Sequence, residues 1–289
     1  MVNPSNIKAI VFDMDGILRI GDIRTPYANR MVDLVNRLSL RGMIVTNECR
    51  YSVETIRRDL HQMGVMIPNQ WKIHTSGVAL RDFLAKQICK IGEIKQVKIG
   101  IVGGSGLEEV IVELQNDRVK IIEFPEEGSN SSMALFLVIG IVENLQVEHL
   151  EKVLKWTRVG AHVIVTSPDI IDPEFREDFS IAMPRHLLHM VRLNENTSEY
   201  FSVGKPNAWM MRAVRLEFSD LRADEILFVG DTLATDIKMA EEHDLWSALV
   251  LTGNTVKEDL QKSVVQPDLI FDNLGDLIEW LTDGNEKID

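Results

Sequence analysis

The run Ile7-Lys8-Ala9-Ile10-Val11-Phe12 constrains this chain most. Short, apolar and rich in β-branched side chains, it reads as a buried strand of a parallel sheet. It stops at Asp13-Met14-Asp15-Gly16. Carboxylates at the carboxyl end of such a strand point into the crevice where open α/β sheets bind ligands. Aspartates at i and i+2 project to the same side of the chain. There they can share one hard cation, and Mg²⁺ accepts one or two carboxylates together with phosphate oxygens. Gly16 lets the chain turn at once. An isolated tetrapeptide of this kind is more simply an acidic turn, so the rest of the chain has to decide.

Three further apolar strands end in complementary chemistry. Met43-Ile44-Val45 leads into Thr46-Asn47, a hydroxyl and an amide able to hold phosphate oxygens. Tyr200-Phe201-Ser202-Val203 leads into Gly204-Lys205-Pro206, with Pro206 expected as the first residue of a helix from Asn207 to Glu217. Lys205 then sits in a strand-to-helix turn, where an ammonium reaches a phosphate or a carboxylate. Ile226-Leu227-Phe228-Val229 leads into Gly230-Asp231-Thr232-Leu233-Ala234-Thr235-Asp236, two more carboxylates about one helical turn apart. Each segment alone is ordinary capping or turn chemistry. Together and in this order they are not.

The ordered set Asp13/Asp15, Thr46-Asn47, Lys205 and Asp231/Asp236 resembles the haloacid dehalogenase-like phosphatase superfamily. Within it the chain is similar to the NagD and p-nitrophenylphosphatase-like branch. Thr75-Ser76-Gly77, Val203 to Trp209 and Val250-Leu251-Thr252-Gly253 extend the likeness along nearly the whole chain. The resemblance implies an α/β fold: a doubly wound, Rossmann-like parallel-sheet core interrupted by a large α/β cap. The pattern of segments agrees. Strand and helix alternate to about residue 84, and a self-sufficient α/β series begins at Lys98. The chain then returns to the first domain, with strands near Tyr200, Ile226, Ser247 and Leu269. The expected domains are 1–84 (core), 85–184 (cap) and 185–289 (core).

Composition sets limits. With 31 Lys plus Arg against 44 Asp plus Glu the net charge is −13, which argues against nucleic acid or an anionic membrane as the main partner. A phosphate ester must then be drawn in by local charge, from a metal and Lys205. Two cysteines, Cys49 and Cys89, fit a reducing compartment. No secretory signal is visible and no apolar stretch approaches the roughly 20 residues needed to cross a bilayer, so the cytoplasm is the default expectation. The partner expected is a small-molecule phosphate ester, and a homodimer stays open.

Carried over residue by residue, the resemblance implies that Asp13 attacks phosphorus to form an aspartyl-phosphate. Asp15 protonates the leaving alkoxide and later takes a proton from water. Mg²⁺ is expected on Asp13, the backbone carbonyl of Asp15 and Asp231, with Asp236 holding a metal-bound water or orienting Lys205. Thr46, Asn47 and Lys205 grip the remaining phosphate oxygens. The implied activity is Mg²⁺-dependent hydrolysis of small phosphate monoesters of the sugar phosphate or nucleoside monophosphate class. The alternatives are a phosphotransferase or phosphomutase, and a non-catalytic regulatory binding protein on the same fold. Three departures bear on substrate. Glu48-Cys49-Arg50 brings an extra carboxylate after Asn47. Asp244 stands where a glycine usually ends a helix, and Arg185 and His186 are candidates to meet a polar leaving group. Gly103-Gly104-Ser105-Gly106 lacks the dinucleotide-binding spacing and reads as a structural turn.

Overall fold

The computed structural model describes residues 2–91, 96–125, 133–168, 183–184, 187–188 and 200–283. The chain begins with β1 (Ala9–Phe12), the short β2 (Arg19–Ile20) and β3 (Ile23–Arg24), α1 (Ala28–Arg37), β4 (Arg41–Thr46), α2 (Val53–Gln62) and β5 (Lys72–Thr75). Its middle carries α3 (Ser76–Lys90), β6 (Gln96–Val102), α4 (Ser105–Val112), β7 (Val119–Ile121), β8 (Met133–Ile139), α5 (Val147–Arg158), β9 (His162–Val165) and β10 (Tyr200–Ser202). The last part adds α6 (Ala208–Glu217), β11 (Ile226–Gly230), a π-helical turn over Leu233–Ile237, α7 (Lys238–Glu241), β12 (Trp246–Val250), α8 (Lys257–Leu260), β13 (Leu269–Phe271) and α9 (Leu274–Asp283).

The chain forms two compact units, Met1–Thr46 with Glu54–His74 and Lys205–Asp289, and Asn47–Val53 with Thr75–Gly204. The first is built on a six-stranded sheet of order β13-β12-β11-β1-β4-β5. β1 runs parallel to β11 on one side and β4 on the other, with Phe12 opposite Val229 and Ile44. All four residues of β1 are fully buried, which is why its sequence shows no polar alternation. From β1 the chain steps outward through β4 to β5, and from β11 it steps the opposite way through β12 to β13. Right-handed crossovers put the helices of the two halves on opposite faces of the sheet. The strand order therefore reverses between β1 and β11, and a ligand crevice opens at their carboxyl ends. α1 buries Ala28, Met31, Val32, Leu34 and Val35, the i, i+3, i+4, i+7 pattern of a helix with one apolar face.

The second unit has a parallel sheet of order β10-β9-β8-β6-β7. Leu135, Leu137 and Ile139 of β8 pack with Trp156 and Val153 of α5 on one face. Phe136 and Val138 point the other way, to Leu80 and Leu84 of α3 and Leu107 and Ile111 of α4. The two-residue period of a strand, with apolar layers on both faces, produces the unbroken run Leu135 to Ile139. These contacts move the limits of the unit outward from residues 85 and 184. α3 packs its apolar side chains into this core, and β10 pairs with β9 rather than returning to the first sheet as expected. Asp244, after α7, has φ +58°, the left-handed turn that aspartate tolerates.

Candidate active site

Two strand ends at the reversal point carry the carboxylates. Asp13 follows β1, and its N–H donates to the carbonyl of Val229 at 2.8 Å, one more rung of the β1–β11 ladder. Asp231 follows β11, and its Oδ1 accepts from the Thr232 hydroxyl at 2.9 Å and Oδ2 from the Asn254 N–H at 2.6 Å. A Cβ on Gly253 would lie 1.9 Å from that Oδ2, so only glycine lets the loop after β12 pass so close. The π-helical turn carries Asp236 back over the strand end, where its Oδ2 accepts the N–H groups of Asp231 and Thr232 at 3.2 and 3.1 Å. A Cβ on Gly230 would meet Asp236 at 2.3 Å, which accounts for the glycine before Asp231.

Lys205 joins these groups. Its ammonium donates to Asp13 Oδ1 at 2.6 Å and Asp236 Oδ1 at 2.7 Å, with all three residues buried. Pro206 does not open the following helix. It is joined to Lys205 by a cis bond, and α6 starts at Ala208 with the Asn207 side chain capping the Trp209 N–H. Met210 and Met211 are buried in the core, whereas Trp209 is half-buried beneath Arg212.

One oxygen each of Asp13, Asp231 and Asp236 lie within 4.8 Å of one another. Three buried carboxylates against the one ammonium of Lys205 leave an excess of negative charge. Burial, then the charge of Asp236, pushes the Asp13 carboxyl well above its ordinary range, although Lys205 opposes the shift. Burial and the Asp236 charge likewise push Asp231 up to about 7, against the hydrogen bonds from Asn254 and Thr232. For Lys205, burial acts to lower the pKa, but the charges and hydrogen bonds of Asp13 and Asp236 outweigh it and raise the ammonium above the usual lysine range. An all-oxygen, over-negative donor set of this kind matches a hard divalent cation.

The remaining residues fall at nearby places along the chain. Asp15, two residues past Asp13, is 22% exposed in its side chain and accepts from Arg19 Nε at 2.9 Å. Its carboxylate lies outside the three-carboxylate group. Thr46 is buried at the end of β4. Asn47 opens the second unit, where its Nδ2 donates to the Ser167 hydroxyl at 3.3 Å and its carbonyl accepts from the Ser76 hydroxyl at 2.7 Å. Glu48 does not present a bare extra charge, because Arg50 pairs with it at 2.5 Å with both side chains almost fully buried. Arg50 also reaches Glu143 at 3.2 Å. The glycine-rich turn packs on this segment: the Gly106 N–H donates to the Arg50 carbonyl at 2.8 Å, and a Cβ on Gly106 would lie 2.2 Å from Tyr51. It is the structural turn expected. Arg185 and His186 lie outside the described residues. Sequence reasoning passed over Arg19, Thr232 and Asn254. Thr232 lies inside one of the quoted motifs and Asn254 directly follows another, which was the available signal.

A family model described as haloacid dehalogenase-like hydrolase matches residues 10–116, and a HAD-hydrolase-like model matches residues 202–277. An acid sugar phosphatase of Staphylococcus saprophyticus is 27% identical over 278 residues, covering 96% of this chain and 98% of the relative. Among solved structures, a 4-nitrophenylphosphatase from Thermotoga maritima superposes with a TM-score of 0.76 at 25% identity, over 96% of this chain and 98% of that one. NagD from E. coli K-12 superposes with a TM-score of 0.73 at 23% identity, over 95% and 98% of the two chains, a likeness of fold.

Proposed function

Since the chain belongs to the haloacid dehalogenase-like hydrolases, in their NagD and p-nitrophenylphosphatase-like branch, and is a hydrolase of phosphoric monoesters, we propose that it acts on small sugar-phosphate-like esters in a Mg²⁺-dependent reaction through an aspartyl-phosphate. The observation that carries the reading is the buried group of Asp13, Asp231 and Asp236 around Lys205. Asp13, Asp231 and the backbone carbonyl of Asp15 would hold Mg²⁺, with Asp236 beside them orienting Lys205. Bound there, the cation supplies positive charge against the phosphate oxygens and the attacking carboxylate.

A carboxylate oxygen of Asp13 attacks phosphorus while the ester P–O bond breaks and its electron pair leaves with the alkoxide oxygen. Asp15 gives that oxygen its proton. In the second half Asp15 takes a proton from water as the water oxygen attacks phosphorus, and the bond to Asp13 breaks to release phosphate. Lys205 neutralises Asp13 and holds it in place. Thr46 and Asn47 offer a hydroxyl and an amide to the remaining phosphate oxygens. The acid sugar phosphatase relative supports the sugar-phosphate class over the nucleotide one.

The test is turnover of p-nitrophenyl phosphate and a panel of sugar phosphates, with Mg²⁺ and in excess chelator. The expected result is hydrolysis with Mg²⁺ that chelator removes, and loss of turnover to background in Asp13→Asn with the circular dichroism spectrum unchanged. Full activity in chelator would remove the metal from the mechanism. Activity retained by Asp13→Asn would remove the aspartyl-phosphate.

A further inference from the structure

We infer that Arg19 is a positioning residue for Asp15, holding one oxygen of that carboxyl group so that the group faces the leaving-group oxygen. The inference rests on the acid–base role proposed for Asp15. Arg19 opens β2, immediately after the turn that carries Asp15. Its Nε–H donates to Asp15 Oδ1 at 2.9 Å, and its side chain is 5% exposed. The backbone repeats the pairing. The Gly16 N–H donates to the Arg19 carbonyl at 2.7 Å and the Arg19 N–H to the Met14 carbonyl at 3.2 Å. The Thr252 hydroxyl ties the Gly16 carbonyl at 2.5 Å. The turn around Asp15 is therefore fixed on both sides, and the guanidinium fixes the side chain that the turn presents.

Burying a guanidinium is costly unless a hydrogen-bonded partner of opposite charge meets it. Exposed pairs at i, i+4 on helices contribute little, but this pair is neither helical nor exposed. The carboxylate it holds is the one that stays outside the group formed by Asp13, Asp231 and Asp236. A carboxyl group that must deliver a proton to one atom and later receive one from water has to keep a single orientation through both half-reactions. The planar, directional donor of arginine serves that end better than the rotating ammonium of lysine. In the first half-reaction the Asp15 O–H bond breaks, the proton goes to the alkoxide oxygen as the P–O bond breaks, and Asp15 is left as a carboxylate on Arg19. The second half-reaction returns the proton from water. Arg19 itself exchanges none.

The experiment compares wild type, Arg19→Gln, Arg19→Lys, Asp15→Asn and the Asp15→Asn/Arg19→Gln double variant. Substrates are glycerol phosphate, whose alkoxide must be protonated, and p-nitrophenyl phosphate, whose phenolate leaves without a proton. The expected result for Arg19→Gln is a fall of about tenfold or more in the single-turnover rate of glycerol release from glycerol phosphate, with little change in the single-turnover release of p-nitrophenolate. The later attack of water is common to both esters, and only the first half-reaction tells them apart. Arg19→Lys should recover part of the loss, and the double variant should be no slower than Asp15→Asn. An equal fall on both esters, additive losses in the double variant, or failure of both Arg19 variants to fold would overturn the inference and make Arg19 purely structural. If Asp15→Asn itself fails to discriminate between the esters, the acid–base reading of Asp15 falls, and this inference with it. If Asp15→Asn discriminates and Arg19→Gln does not, only the role of Arg19 falls.

Discussion

Lys205 shows at the scale of one residue why the site is ordered. A buried ammonium is expensive to desolvate, and here Asp13 and Asp236 at 2.6 and 2.7 Å meet that cost while being held apart by it. Glu48 and Arg50 solve the same problem in the second unit by pairing with each other, so the departure at Glu48 leaves no bare charge. Cys49, between them in sequence, follows a different rule. Burial first, then the charge of Glu48, pushes its thiol up to about 11. A raised thiol pKa means less thiolate at any given pH, and the thiolate is the reactive form. Iodoacetamide at pH 8 should therefore modify the exposed Cys89 in the native protein and reach Cys49 only after denaturation, as read by peptide mass spectrometry. Alkylation of both at similar rates in the folded chain would mean that Cys49 is neither buried nor protonated as described. Asp13 and Asp231 stood out in the sequence because each follows an apolar strand that is buried throughout, whereas Lys205 follows β10, which is only partly buried, and stood out by its turn sequence Gly204-Lys205-Pro206. The pairing of Asp15 with Arg19 was not, because four residues of sequence separation mean adjacency on a helix but have no fixed meaning in a turn.

Among elements, the loop after β12 does for Asp231 what no side chain can. Gly253 passes so close to the Asp231 carboxylate that an added Cβ would lie 1.9 Å from its Oδ2, and the next N–H, on Asn254, anchors it. Gly253→Ala should displace Asp231, cost about 1–3 kcal/mol through overpacking, and raise the Mg²⁺ concentration needed for half-maximal activity. Gly160→Ala is the control. Its φ is +76° with nothing within 4 Å of a new Cβ, so it bears backbone strain of about 1–2 kcal/mol and should leave the Mg²⁺ requirement alone. Equal Mg²⁺ requirements in the two variants would show that close approach at Gly253 does not set the metal site. The elements missed in the sequence have physical reasons. α3 buries Ser76, Gly77 and Ala79 in its first turn, small residues that carry little apolar signal. β2 and β3 are two residues each, below the length at which alternation can be seen. Tyr200–Ser202 was recognised as a strand, but nothing local says which sheet a strand joins.

For the whole molecule, the buried carboxylates link stability to pH and to the cation. Folded Asp231 holds its proton up to about 7 against an ordinary value of 3.8, so between those limits the native state binds more protons than the unfolded one. Stability of the metal-free protein is therefore lost as pH rises through that window. A carboxyl must be ionised to ligate, so cation binding strengthens over the same window. Mg²⁺ at a hundred times its dissociation constant should stabilise the fold by about 2.7 kcal/mol, read as a rise in Tm larger at pH 7.5 than at pH 5. Asp231→Asn should flatten the pH dependence and reduce the Mg²⁺ shift. A Tm indifferent to Mg²⁺ at pH 7.5 would mean that the three carboxylates hold no such ion. Among the described residues no helix is long and apolar enough to cross a membrane. By itself the sequence determined the α/β class, the strand ends and the acid, hydroxyl and amine groups placed there, because burial on both faces and the chemistry of a residue are local properties. Only the tertiary structure decided that α3 and β10 belong to the second sheet, that Asp236 folds back over its own strand to meet Lys205, and that Arg19 holds Asp15. Each of those depends on which surfaces meet, and contact between residues far apart in the chain is set by the packing of the whole.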